Sequence, residues 1–530
     1  MDVIDRAIEK KWHVSKKQKY NVQEWKDFHD SIKSRKILLV GLGNGVGYLC
    51  DKYGDKISFD AVFDNDQTKQ GIPANILIDS DEKYINELPP VEAIASIKRY
   101  INDNPVVLIT SLKSYDEIAD EIESIGISDI YILLIMEANQ RQKGEKPNIS
   151  RKKNYEDYAK LPIDNNKVFF QGYGPYSDHV RYIAEKIREL NKEIKIVFAV
   201  SDYVDEMPND FYQILMYRTP KRYAREIETA KIVLYNHDLP EDIIKRKNQI
   251  HIHTKHWASI TLKKFYLDSK YTTDSDDDIR RWKKNFNELD YVFTGSDFDD
   301  TSVRRGFAIN TGLIHVGSPR SDIMFQFEKY KKLIRERYAL ECYDGLVLYA
   351  PTYRFGKENG INRHVAVIST FPDFNKIKNA FEKKYGGEWA ILLRAHPAVS
   401  KFVSEISLPS YVIDVSKHQD GEELCAACDV MISDYSSIMF EPAFVGKSVF
   451  LYAPDKEEYI DNEYDLLIDY DSLPFPISTS NDELVDLISN FDEKNYVRKV
   501  NAFFAKYGVK EDGHASERAA QFIIDLLKQK

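Results

Sequence analysis

Residues 429–438 read Asp-Val-Met-Ile-Ser-Asp-Tyr-Ser-Ser-Ile, and this stretch gives the clearest indication of the fold. Its apolar half predicts a buried strand, and the Ser-Asp step predicts a turn into a helix. Ser436 and Ser437 fall at the start of that helix, where backbone N–H groups have no partner within the helix. A helix start suits phosphate, because the positive end of the helix dipole lies behind it. For this stretch alone, an ordinary Asp/Ser cap remains the simpler interpretation.

Two other predicted strands end in residues that suit a phosphate ligand. The strand within residues 348–354 is followed by a loop carrying Arg354, and the strand before residue 396 ends near His396. Ligands of open α/β sheets bind outside the carboxyl ends of the strands. The sequence therefore predicts one site that gathers Arg354, His396 and the two serines.

Apolar strands alternate with helical patterns along most of the chain, which is typical of parallel, doubly wound sheets. We expect a polar helical segment, a Rossmann-like domain of unknown role, a linker and two further α/β lobes. Their expected bounds are 1–35, 36–145, 146–166, 167–325 and 326–530.

Composition excludes several classes of protein. The 530 residues carry a formal charge of −11, which disfavours general nucleic-acid binding because phosphate backbones need a basic surface. Aromatic residues make up 12%, too many for a mainly disordered chain. Four cysteines do not form a disulfide framework, and no apolar run is long enough for a signal peptide or a membrane span. We expect a cytoplasmic protein whose contact with membranes is peripheral.

A glycine turn follows the first predicted strand. Gly41, Gly43 and Gly45 lie between that strand and a helix, and Asp64 ends the next strand, as in dinucleotide-binding domains. The spacing departs from G-x-G-x-x-G, because Val46 or a tyrosine takes the last position. A phosphate site and a turn needed only for tight packing remain equal alternatives.

Several motifs together resemble the CDP-glycerol glycerophosphotransferase family, which makes teichoic acids and related capsules. The matching stretches are residues 229–231, 317–322, 348–354, 394–397, 432–437, 453–455 and 512–516. The resemblance spans roughly residues 167–530. It implies a GT-B fold, in which residues 167–325 form an acceptor lobe and residues 326–530 form a lobe that binds the CDP donor.

The resemblance also implies roles for individual residues. His256 would be the general base, although the stretch 254–264 departs from the family pattern and leaves His253 as the alternative. His396 and Arg354 would neutralise the diphosphate, and the serines at 436 and 437 would hold phosphate oxygens. Further donor-binding residues would be Thr352, Arg394, Asp434 and Glu441, the last of them near the cytidine.

The expected reaction moves glycerol phosphate or ribitol phosphate from a CDP-polyol to a hydroxyl of a lipid-linked polymer and releases CMP. It requires no cofactor and no metal, and a chance match is favoured for the short DxD pattern at 297–299. Basic clusters at 218–225, at 245–247 and in the first 36 residues would contact the membrane. The alternatives are a GT-B nucleotide-sugar glycosyltransferase and a nucleotide-binding regulatory protein.

Overall fold

The structure is a computed structural model that describes most of the chain. The described residues are 24–53, 57–79, 88–141, 151–172, 176–201, 203–216, 219–269, 276–310, 312–352, 354, 370–396, 399, 403, 407–462 and 465–529.

Three parallel sheets carry the fold. The first sheet contains β1 (Ile37–Val40), β2 (Ala61–Phe63), β3 (Val91–Glu92), β4 (Val106–Ile109) and β5 (Ile130–Ile132). Its order is β3-β2-β1-β4-β5, and its pairings are parallel. The order reverses between β1 and β4, as in Rossmann-like domains.

The second sheet has seven strands. They are β6 (Asp164–Gln171), β7 (Lys195–Val200), β8 (Tyr212–Leu215), β9 (Ala230–Tyr235), β10 (Ile250–His253), β11 (Tyr291–Thr294) and β12 (Gly312–His315). The order is β12-β11-β10-β9-β6-β7-β8, which reverses between β6 and β9. β9, β10 and β11 follow one another in parallel register, so the residues after them emerge at one edge.

The third sheet has six strands. They are β13 (Gly345–Tyr349), β14 (Trp389–Leu393), β15 (Val412–Asp414), β16 (Val430–Ser433), β17 (Ser448–Tyr452) and β18 (Ile477–Ser478). The order β15-β14-β13-β16-β17-β18 reverses between β13 and β16, and the pairings are parallel. Its central strands are buried along their whole length, which explains their continuous apolar sequence.

Helices connect the strands. They are α1 (Trp25–Ser31), α2 (Asn44–Tyr53), α3 (Ala74–Leu77), α4 (Tyr115–Ser124), α5 (Leu133–Arg141), α6 (Arg151–Tyr158), α7 (Asp178–Leu190), α8 (Pro220–Thr229), α9 (Asp276–Asn287), α10 (Asp297–Phe307), α11 (Phe327–Tyr338), α12 (Phe374–Tyr385), α13 (Gly421–Ala427), α14 (Phe440–Phe444), α15 (Lys456–Asn462), α16 (Asn481–Ser489), α17 (Glu493–Lys506) and α18 (Ala515–Lys528). The 3₁₀ helices are Ile94–Asp103, Tyr266–Asp268, Pro319–Gln326, Ser437–Met439 and Tyr470–Ser472.

The segment predicted as a linker is partly regular structure. Helix α6 covers Arg151–Tyr158, and β6 already begins at Asp164. Tyr155 of this helix is buried and anchors the helix. A single apolar contact in a polar segment leaves no hydrophobic periodicity from which the helix could be predicted. The prediction of a linker over 146–166 stays a prediction, and these residues of it form regular structure.

The contacts of the chain fall into two compact units. The first contains residues 1–169, 197–231 and 242–248, and the second contains residues 170–196, 232–241 and 249–530. Among the described residues, no helix is both long enough and apolar enough to cross a bilayer.

Candidate functional site

Two histidines close to the end of β10 lie in opposite environments. His253 is buried, and its ring packs edge-on against the rings of Tyr235 and Phe307, each with centroids 4.9 Å away. Its Nδ1 accepts a hydrogen bond from the backbone N–H of Lys255 at 2.8 Å. His256, three residues later, has an exposed side chain. Of the two candidates from the sequence, only His256 has an exposed side chain.

The turn that carries His256 is built around Lys255. This residue has a left-handed backbone, with φ of 57°, and its side chain is buried. The ammonium group donates to the carbonyl oxygens of Trp257 and Ala258, both at 3.1 Å, and pairs with Asp299 at 3.0 Å. A buried ammonium needs such partners, so the turn closes inward around it and leaves His256 on the outside.

The surroundings of His256 keep its imidazole neutral. Desolvation by the protein groups around it lowers the pKa of His256 to about 4; Asp178 acts in the opposite direction, and His237, Arg320 and Lys255 lower the pKa further. At neutral pH the ring is therefore uncharged and able to accept a proton.

Asp178 lies where β6 and β9 diverge, at the point of strand reversal in the second sheet. It opens α7 with a left-handed φ of 64°, a strained conformation for a residue other than glycine. Asn236, which follows β9, donates to its Oδ2 at 2.8 Å. The carboxyl edge of β6, β9 and β10 thus brings together an aspartate, an asparagine and the imidazoles of His237 and His256.

Arg320 links this edge to the segment that follows β16. One nitrogen donates to the carbonyl oxygen of His256 at 2.9 Å and lies 3.3 Å from Asp178. The other donates to Glu441 at 2.5 Å, and Ser321 donates to the second oxygen of the same carboxylate at 3.0 Å. Burial raises the pKa of Glu441, while Arg320 opposes that shift. Because Glu441 is fully buried and both its oxygens are occupied, its predicted contact with a cytidine stays a prediction.

The third sheet places Thr352 and Asp434 together at its own reversal point. The N–H and hydroxyl of Thr352 donate to Asp434 at 2.8 and 2.5 Å, across the ends of β13 and β16. Arg354 pairs with Asp434 at 2.9 Å and with Asp455 at 2.7 Å. Its guanidinium carbon lies 4.9 and 5.0 Å from the ring centroids of Tyr435 and Tyr459, which stack on each other. Arg354 is only 3% exposed. Its charge is therefore balanced within the protein, and a role in binding phosphate stays a prediction.

The two serines after β16 have different partners. Ser436 caps the 3₁₀ turn through a contact of 3.5 Å with the N–H of Ile438. Ser437 contacts the hydroxyl of Thr261 at 3.1 Å and accepts from the N–H of Leu262 at 3.0 Å. Ser437 thereby holds the segment that follows the His256 turn. Ser436, half-buried at the helix start, better fits the predicted phosphate ligand.

The end of β14 carries Arg394 and His396. Arg394 donates to the carbonyl oxygen of His418 at 2.7 Å and packs against Gly421. His396 is exposed, and desolvation, followed by the charge of Arg394, lowers its pKa. A neutral His396 can donate one hydrogen bond to a diphosphate but carries no positive charge there until a bound anion raises its pKa.

Two other motifs of the sequence have structural partners. Asp299 of the DxD pattern is fully buried and bound to Lys255 and Trp257, and no cluster of possible metal ligands occurs among the described residues. In the glycine turn, Asp64 accepts from the N–H of Leu42 at 2.7 Å and pairs with Lys69 at 2.7 Å. A Cβ on Gly45 would lie 2.2 Å from the carbonyl oxygen of Thr110, so close packing alone accounts for that glycine.

Comparison with known proteins gives the family. The model of CDP-glycerol:poly(glycerophosphate) glycerophosphotransferase matches residues 155–525, about 70% of the chain. The chain belongs to this glycerophosphotransferase family. The match includes the turn of His256 and the strand ends of the third sheet.

Curated proteins of bacteria are similar to this chain. The teichoic acid poly(glycerol phosphate) polymerase of Staphylococcus epidermidis is 25% identical over 374 residues, which cover 68% of this chain and 50% of that protein. The teichoic acid glycerol-phosphate transferase of Staphylococcus aureus is 24% identical over 379 residues, covering 69% and 94%. The chain spans about half the length of the first two relatives, both poly(glycerol phosphate) polymerases.

A solved structure shares the fold of this chain. The wall teichoic acid polymerase TagF superposes with a TM-score of 0.62 at 23% identity, covering 72% of this chain and 94% of that one. The α/β architecture with parallel sheets is therefore shared with TagF.

Sequence reasoning missed four residues near His256. His237 and Asn236 directly follow β9, and the rule applied to the other strand ends would have found them. Arg320 lies in the quoted stretch 317–322, but its partners come from distant segments and leave no local pattern. Asp178 gave no signal, because its left-handed backbone is visible only in the structure.

Proposed function

We propose that the chain transfers a polyol phosphate from a CDP-polyol to a hydroxyl of a growing teichoic acid or capsule polymer and releases CMP. The observation that carries the proposal is the neutral, accessible imidazole of His256 at the carboxyl edge of the second sheet. Family membership supplies the class of donor. Relatives named as glycerol-phosphate and as ribitol-phosphate enzymes leave both polyols as candidates.

In the proposed step, an acceptor hydroxyl attacks the distal phosphorus of the donor. A new P–O bond forms, the bond to the bridging oxygen breaks, and CMP leaves with that electron pair. His256 takes the proton of the hydroxyl as the bond forms. Asp178 favours the protonated ring, because its negative charge raises the pKa of His256.

The donor would bind at the carboxyl edge of the third sheet. Ser436, at the helix start, would hold phosphate oxygens, and His396 would donate a hydrogen bond to them. Beneath that edge lies a hydrogen-bonded cluster of Thr352, Asp434 and Arg354. Their contacts with one another support a role in positioning the donor-binding residues. Arg394 would likewise act indirectly, by positioning the segment of His418, and Glu441 by positioning Arg320.

We propose a GT-B arrangement for the second and third sheets, with the reaction between them. Hydrogen bonds from Leu262 to Ser437 and from Arg320 to Glu441 support it, since each joins a segment after β10 or β12 to one after β16. The polymer acceptor would be lipid-linked, so the enzyme would work at the inner face of the cell membrane. No cofactor is part of the proposed chemistry.

One experiment tests the proposed donor class. Purified protein is offered CDP-glycerol, CDP-ribitol, UDP-glucose and UDP-N-acetylglucosamine together with a lipid-linked teichoic acid primer, and the released nucleotide is identified. We expect CMP from one of the two CDP-polyols. Release of UDP from a nucleotide sugar, with no CMP, would instead support a glycosyltransferase and overturn the proposal.

A further inference from the structure

A carboxylate near the C-terminus fastens the turn that carries His256. Glu511 accepts a hydrogen bond from the hydroxyl of Ser259 on one oxygen, and from the backbone N–H of Ser318 on the other at 3.1 Å. Both serines are fully buried. Ser259 lies three residues after His256, and Ser318 lies two residues before Arg320.

Ser259 has little freedom to move. Its carbonyl oxygen accepts from the hydroxyl of Ser296 at 2.7 Å. A Cβ on Gly295 would lie 1.7 Å from its hydroxyl oxygen, so the backbone of Gly295 already packs against that group. Glu511 closes the remaining side, and the far end of the turn around Lys255 is thereby fixed.

The other segment that Glu511 binds is equally well held. Asp322 accepts from the N–H groups of Ala515 and Ser516 at 2.9 and 2.7 Å and thereby caps α18. Arg518 donates to the carbonyl oxygen of Val316 at 2.9 Å. Residues 316–322 and the start of α18 therefore form one hydrogen-bonded body, and Arg320 extends from it to the carbonyl oxygen of His256.

We propose that Glu511 is a positioning residue, which locks the His256 turn onto residues 316–322 and so fixes the imidazole for the attack. The role in the attack rests on the proposed function. The hydrogen bonds of Glu511 are independent of that function. Burial raises the pKa of Glu511 to about 7, so the carboxyl tolerates a proton near neutrality. Glutamine, the neutral isostere, should therefore keep the lock: its amide oxygen accepts from Ser318, and its NH₂ donates to the hydroxyl of Ser259.

The test compares Glu511→Ala, Glu511→Gln and the control Glu517→Ala, which removes an exposed carboxylate from the first turn of α18, the helix that follows Glu511. We expect kcat for CMP release to fall about 10–100-fold in Glu511→Ala, because small displacements of a reacting group are costly. The KM for the donor should stay within about twofold, since Glu511 does not touch the proposed donor edge. Glu511→Gln and the control should resemble wild type.

A second readout does not depend on activity. The pKa of His256 is measured by NMR of ¹³C-labelled histidine, with the signal assigned by its loss in His256→Gln. We expect about 4 in wild type and Glu511→Gln, and a rise toward the ordinary value of about 6.5 in Glu511→Ala as the loosened turn becomes solvated. If Glu511→Ala does not fold, Ser259→Ala removes one bond of the lock and should change both readouts in the same direction.

Two outcomes remain distinguishable. If wild type releases no CMP from either CDP-polyol, the proposed function fails, while the NMR titration still decides the role of Glu511. If Glu511→Ala, or Ser259→Ala in its place, lowers only the melting temperature and leaves kcat and the titration of His256 unchanged, Glu511 is merely structural and the proposal is overturned.

Discussion

His256 illustrates how one residue gains its chemistry from its surroundings. Its neighbour His253 has the same side chain, yet it packs among aromatic rings, with Nδ1 occupied by the N–H of Lys255. What distinguishes the two is the left-handed Lys255, which reverses the chain between them. A base must be neutral and accessible, and only His256 meets both conditions.

The lowered pKa of His256 predicts an unusual pH profile. A base works only when deprotonated, so activity is lost as pH falls through its pKa. For kcat/KM, which reports the free enzyme, we expect the acidic limb of His256 near pH 4 rather than 6.5. For kcat the limb should lie higher, because the charge of bound donor raises the pKa. Stopped assays of CMP release from pH 3.5 to 8 measure both, and an acidic limb for kcat/KM at 6.5 would contradict the assignment.

At the scale of single elements, the 3₁₀ helix Pro319–Gln326 joins elements distant in sequence. Arg320 is buried and bonded to the carbonyl of His256 and to Glu441 of α14. Removing one partner of a buried pair leaves an uncompensated charge, whereas neutralising a carboxylate whose pKa is already raised costs less.

We therefore expect unequal effects from the two sides of this pair. Arg320→Ala should destabilise the second unit by about 3–5 kcal/mol, and Glu441→Gln by about 1 kcal/mol or less, because glutamine still accepts from Arg320. Thermal and urea unfolding of both variants measure this. Equal losses in the two variants would contradict the expectation that glutamine at 441 keeps the hydrogen bond from Arg320 and so costs less.

The glycine turn of the first sheet allows a matched test of packing. Gly45→Ala should be destabilising by about 1–3 kcal/mol, because its Cβ would meet the carbonyl oxygen of Thr110 at 2.2 Å. Gly43→Ala is the control, since nothing lies within 4 Å of its Cβ position. Hydrogen exchange of the amides of β4 reports the effect, and equal protection in both variants would refute the packing explanation.

Strands and helix starts were predictable from the sequence where a local run of residues determines them. The strand Val430–Ser433 follows from an apolar run and the turn residues after it, and the structure confirms it. Contacts between distant segments were not predictable. The hydroxyl of Ser437, which stays a predicted phosphate ligand, accepts from the N–H of Leu262. Glu511, 255 positions after His256, accepts from Ser259 of the His256 turn. Hydrophobic periodicity along the sequence does not indicate which distant residues will form hydrogen bonds with each other.

At the scale of the whole molecule, the expected membrane contact depends on basic residues. Arg222 of the cluster at 218–225 is buried against Tyr212, so that side chain cannot reach a membrane. Lys247 is exposed and Lys245 is half-buried in the second cluster. These two lysines are the better candidates.

We expect binding to phosphatidylglycerol vesicles at low salt that weakens at high salt, at about 1 kcal/mol for each basic residue near the surface. Lys245→Glu combined with Lys247→Glu should abolish flotation, whereas Lys494→Glu combined with Lys499→Glu, on α17, should not. Vesicle flotation at two salt concentrations measures this. Equal flotation of both double variants would exclude residues 245–247 as the contact.

The most direct test of the account is single-turnover CMP release by His256→Ala, with donor affinity measured in parallel by calorimetry. His315→Ala is the control, because it removes another exposed histidine of the second unit. The account predicts a rate about 10²–10⁴-fold below wild type for His256→Ala, with donor affinity and melting temperature nearly unchanged. Near-normal CMP release by His256→Ala would contradict the central claim that this imidazole is the base.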